Sequence, residues 1–135
     1  MTGYETILAA ALTRLQAAPS IATTIRRAHR TAVPRANAPA IHVIDGPDRR
    51  VSSPCRRQCE FTVSVFARSD EGVSATDTLR IAVAARMDAA WPSGISVVAG
   101  PITPDTEIGD EDPVRLDFEF TATYPIAGPD SLELP

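Results

Sequence analysis

Twelve prolines, at positions 19, 34, 39, 47, 54, 92, 101, 104, 113, 125, 129 and 135, divide this chain of 135 residues into short segments. Proline has a fixed φ and no backbone N–H, so it breaks helix interiors and is confined to edges, ends and bulges of strands. Regular elements are therefore expected between the prolines. In the first gap, Thr2 and Glu5 have the T-x-x-E spacing of a helix capping box. Ile7, Leu8, Ala11, Leu12 and Leu15 follow at helical spacing on one face, and Pro19 is the stop. Residues 21–30, "IATTIRRAHR", are β-branched enough for an edge strand, whose edge Arg26, Arg27 and Arg30 keep charged.

Residues 39–45 form a short strand ahead of Pro47. Residues 55–69 alternate with period two. Cys59, Phe61, Val63, Val65 and Ala67 share one parity, Glu60, Thr62, Ser64 and Arg68 the other, and Phe66 is the exception. A second helix is expected to open at Ser74, where Asp77 completes another capping box. Leu79, Val83 and Met87 lie on its apolar face, and residues 91–94 stop it. Strands over 94–100 and 114–124 complete the series. In the latter, Val114, Leu116, Phe118, Phe120, Ala122 and Tyr124 alternate with Arg115, Asp117, Glu119, Thr121 and Thr123. The order α-β-β-β-α-β-β predicts an α+β fold: a mostly antiparallel sheet of about five strands with two helices packed on one face. One domain over residues 1–135 is expected, with 126–135 as a loose tail.

Charge divides unevenly along the chain. Residues 1–68 hold ten Arg against four acids, net +6; residues 69–135 hold three Arg against thirteen acids, net −10. Such asymmetry fits a nucleic-acid partner for the basic half, contact between unlike surfaces of neighbouring copies, or two ordinary solvated surfaces. Arg26, Arg27, Arg30, Arg49, Arg50, Arg56 and Arg57 make up most of the basic stretch. No aromatic residue lies between Tyr4 and Phe61, so side chains on which bases could stack are missing from it.

The acidic cluster Asp105, Glu107, Asp110, Glu111 and Asp112 does not match a calcium loop, because Gly109 falls at the fifth position counted from Asp105 and the sixth is acidic. A hairpin tip with hydrated carboxylates, open to contact with a partner, is the expected role. Cys55 and Cys59 would sit about 13 Å apart along one strand, too far for a disulfide. With His29 and His42 they show none of the paired spacings of a zinc site, so free thiols and no metal are expected. Neither a nucleophile-elbow nor a phosphate-loop motif is present, and no catalytic residue or cofactor is predicted. No apolar run approaches the roughly 20 residues of a bilayer span, and the first twenty residues lack the features of a secretory signal, so residence in a reducing cytoplasm is expected.

In order, spacing and hydropathy, "ETILAAALTRL", "RRAHRTAVPRANAPAIHVID", "RRQCEFTVSVFAR", "DTLRIAVAARMDA" and "VRLDFEFTATY" resemble the minor-tail-protein-U-like tail terminators of long-tailed bacteriophages, over about residues 3–126. The resemblance implies a non-catalytic virion protein, made in the host cytoplasm and placed at the head-proximal end of the tail. It would form a homo-hexameric ring that caps the tail tube protein, ends tube polymerisation and meets the head–tail connector protein. DNA would pass through the ring without specific binding, and no membrane is involved. On this reading the Arg residues above, the acidic loop, Asp117 and Glu119 are candidates for contacts between subunits. Two other readings stay open: a head–tail joining or head-completion protein of similar fold, and a small Arg-rich nucleic-acid-binding module. A small metal-dependent enzyme is a third.

Overall fold

A computed structural model describes residues 2–28, 37–51, 55–67, 72–92, 94–104 and 114–135. Seven elements follow one another: α1 (Gly3–Gln16), β1 (Thr24–Arg27), β2 (Ala40–Arg50), β3 (Arg56–Ala67), α2 (Gly72–Met87), β4 (Ser96–Pro104) and β5 (Val114–Pro125). The expected class and order hold. The five strands form one mixed sheet in the order β1-β2-β3-β5-β4, with β1 parallel to β2 and every other pair antiparallel. Both helices pack against one face of it.

Period-two patterning builds that interface. Cys59, Phe61, Val63, Val65 and Ala67 of β3 are buried beside Leu116, Phe118, Phe120, Ala122 and Tyr124 of β5. Ile7, Leu8, Ala11 and Leu15 of α1 and Leu79, Val83 and Met87 of α2 close over them. Burying one such side chain is worth about 1.5–3 kcal/mol, so this layer dominates stability. Phe66, the exception to the parity, packs on the opposite face against Ala40 and the edge of the His42 ring.

Two strands run past prolines at which they were expected to stop. β2 continues through Gly46 and Pro47 to Arg50, with a bulge between Asp45 and Asp48. The reason is positional: β1 pairs only as far as Val43, so at Pro47 the outer side of β2 has no neighbour that needs an N–H donor. The Tyr4 hydroxyl fills the gap, donating to the Gly46 carbonyl and accepting from the Gly46 N–H, each at 2.9 Å. A side chain at Gly46 is excluded, since a Cβ there would lie 2.4 Å from the Glu60 carbonyl oxygen. β4 likewise runs to Pro104 across a bulge between Ala99 and Ile102, which its place at the sheet edge permits.

Helix ends also depart from expectation. Thr2 caps α1 by accepting from the Glu5 N–H at 3.1 Å, but the Glu5 carboxylate turns to Arg27 and leaves the reciprocal half of the box unmade. A charge-assisted pair with a guanidinium outcompetes a single backbone N–H. α2 opens at Gly72, so Ser74 lies inside the helix and is not its cap. At the far ends the two helices cap each other. Arg86 donates to the carbonyls of Arg14, Leu15, Ala17 and Pro19, while Arg14 donates to those of Arg86, Ala89 and Ala90 and stacks 3.9 Å from the centre of the Trp91 ring. Each guanidinium thus meets the negative end of the other helix.

Residues 126–135, expected to be loose, fold back instead. Ile126 is buried, its N–H donates to the Cys55 carbonyl, and the Gly3 N–H donates to the Leu132 carbonyl at 2.8 Å. The free N–H groups of the first helical turn need acceptors, and Leu134 adds apolar cover beside them.

Candidate functional site

Most of the basic stretch is neutralised within the chain. Arg27 spreads its guanidinium between two carboxylates, donating to Asp45 at 2.8 and 2.6 Å and to Glu5 at 2.5 and 3.0 Å, and so ties α1, β1 and β2 together. That contact holds the Glu5 carboxyl below its usual range. Arg57 pairs with Asp48, which also accepts from the Tyr124 hydroxyl at 2.8 Å. Arg49 pairs with Glu60 at 3.5 Å, and Arg50 reaches Asp130 and the Pro129 carbonyl. All four acids of the first half are therefore taken up by Arg27, Arg57 and Arg49. Arg56 donates only to the Gly94 carbonyl, and exposed Arg26 has no acidic partner among the described residues. Arg30, Asp105, Glu107, Asp110, Glu111 and Asp112 lie outside the described residues.

Asp117 and Glu119 share a face and differ in role. On the sheet face opposite the helices, Arg26, His42, Ser64, Asp117 and Thr103 occupy one row across all five strands. The Ser64 hydroxyl donates to Asp117 at 2.6 Å, and Arg115 lies 3.5 Å from the same carboxylate. Ser64 is buried where parity predicted a wetter face, and His42 beside it is buried as well. Asp117 is thus largely covered and paired within its own chain, whereas Glu119 is exposed.

The row places Ser64 between His42 and Asp117. A serine–histidine–aspartate relay needs the histidine in the middle, and here the serine proton is already directed at the carboxylate. Burial, then the nearby Arg26 charge, pushes the His42 pKa down. Cys59 is equally unsuited to nucleophilic work, because burial, helped by Asp48, pushes its thiol up to about 12. Cys55 is exposed, and both thiols are free. No group of three or more His, Cys, Asp or Glu able to hold a metal ion occurs among the described residues, and no described helix is long and apolar enough to cross a membrane.

A surface that sequence reading missed lies beside β4. The helical layer stops short of this edge strand and leaves a groove of about 540 Å³ between α2 and the sheet, lined by Ile81, Ala84, Ala85, Val97, Ile102 and Phe118 among others. Ile81 is 67% exposed and Val98, on the other side of the edge, 62%. The sequence signal was Ile81 itself, which falls off the stripe of Leu79, Val83 and Met87. The opposite edge is protected: β1 is four residues long, carries Arg26 and Arg27, and has its Ile25 carbonyl covered by the Gln16 side chain at 2.8 Å. One sheet edge is therefore blunted and the other left apolar and open. No family model matches this chain, and no curated protein is significantly similar to it.

Proposed function

We propose that this chain is a structural subunit of a long-tailed bacteriophage tail, forming a homo-hexameric ring that caps the tail tube, ends its polymerisation and offers a surface to the head connector. The observation that carries the reading is that the two sides of the sheet are unlike. The β1 side keeps Arg26, which has no acidic partner among the described residues, while the β5–β4 side carries exposed Glu119, and the connection between those strands has five carboxylates. A head-to-tail ring needs two different surfaces of opposite character on each copy. The order of elements is the one read from the sequence, from which the resemblance was drawn. The nucleic-acid reading loses Arg27, Arg49, Arg50 and Arg57 to carboxylates of the same chain.

Native mass spectrometry in the presence of tail tubes tests the proposal, with a particle of six 14.4 kDa chains expected. Neutralising Asp110, Glu111 and Asp112 to Asn, Gln and Asn should leave the melting temperature unchanged and weaken the ring, as should high salt. A chain that stays monomeric on tubes, or tails that end at normal length with the triple variant, would overturn the contact.

A further inference from the structure

The open groove has a shape and charge pattern that fit α2 of a second copy. We infer that two chains pair through a two-fold axis, with each α2 lying antiparallel to the other and entering the groove of its partner. This goes beyond the ring reading and does not rest on it, since a two-fold contact joins a patch to itself and a ring joins unlike patches.

Three observations carry the inference. The exposed flank of α2 reads Arg80, Ile81, Ala84, Ala85, Asp88, all on the groove side. Arg80 and Asp88 each lie four residues from Ala84, so an antiparallel pair centred on Ala84 sets Arg80 of each copy opposite Asp88 of the other. Neither side chain has a partner within its own chain among the described residues. Secondly, the centre of the contact is alanine, which lets helix axes approach to about 8–10 Å without clash. Thirdly, Ile81 projects at 67% exposure beside a groove floored by Val97, Ala99 and Phe120 that no described residue fills. Each copy thus supplies both the apolar knob and the apolar hollow. The blunted β1 edge offers no comparable apolar counterpart to this surface.

Sedimentation equilibrium on the full chain, without tubes, tests the pairing with a charge-swap cycle. The unaltered chain is expected to dimerise. Arg80→Glu sets two like-charged pairs against each other across the axis, as does Asp88→Arg, and each should weaken the dimer about ten-fold. The double variant Arg80→Glu/Asp88→Arg should restore it, because each introduced carboxylate then meets the introduced guanidinium of the other copy, and a particle that stops at two chains marks the contact as two-fold. All these positions are exposed, and circular dichroism melts confirm that each variant folds. A chain that is monomeric at every concentration, a dimer indifferent to the single swaps, or a double variant no better than the singles overturns the inference. A six-chain particle indifferent to the swaps overturns it too, and leaves the ring standing.

Discussion

Replacing Arg86 by Met should destabilise the protein by about 2 kcal/mol, although Arg86 reads from the sequence as one more solvated arginine on the second helix. Methionine keeps the unbranched stem and the helix propensity, so the change isolates the guanidinium. In the folded chain that group satisfies the carbonyls of Arg14, Leu15, Ala17 and Pro19 at the C-terminal end of α1. A hydrogen bond from a charged donor contributes about 1.5–3 kcal/mol when buried. These are only partly buried, and water can replace some of them, so the four together are set at ~2 kcal/mol rather than at their sum. For a domain of this size, that corresponds to a fall of roughly 6–10 °C in melting temperature. Arg80→Met on the same helix, where the side chain has no partner among the described residues, is the control and should change stability by less than about 0.5 kcal/mol. Urea unfolding of both variants, at dilution that removes self-association, is the assay. Equal effects at the two positions would refute the reciprocal-capping argument. A double variant with Arg14→Met should be less harmful than the two singles added, because each guanidinium caps the helix that carries the other.

Gly46→Ala should cost about 2 kcal/mol or more in thermal unfolding, since its Cβ meets the Glu60 backbone, whereas Gly128→Ala, with nothing within 4 Å, should be neutral. The Glu5 carboxyl is depressed chiefly by its hydrogen bond from Arg27, so its contribution is complete above the ordinary value of 4.5 and is lost as pH falls through the lower folded value. Glu5→Gln should therefore flatten the acid limb of a plot of urea midpoint against pH; an unchanged slope below 4.5 would show that the pair does not form. A thiol reagent at neutral pH should modify one cysteine per native chain, exposed Cys55, and two after denaturation. Rapid loss of both in the native state would contradict the burial of Cys59.

Much of this architecture is written in local patterns. Spacing of three and four residues identified both helices, and alternation identified β3 and β5 together with the face each would bury, because those periods follow from backbone geometry alone. What tertiary structure decided is which strand became an edge, and most of the surprises trace to that. Pro47 and Pro101 were read as strand stops; they lie within strands because one side of β2, and one side of β4, has no neighbour to receive a hydrogen bond. Charge followed the same logic. The sequence shows a surplus of arginine between residues 26 and 57, but only the fold brings Arg27 to Glu5 and Asp45, and Arg50 to Asp130, turning a candidate binding surface largely into internal ties. Ile81 and Val97 are ordinary apolar residues in the chain. They become the walls of an open groove only because two helices are too few to cover five strands.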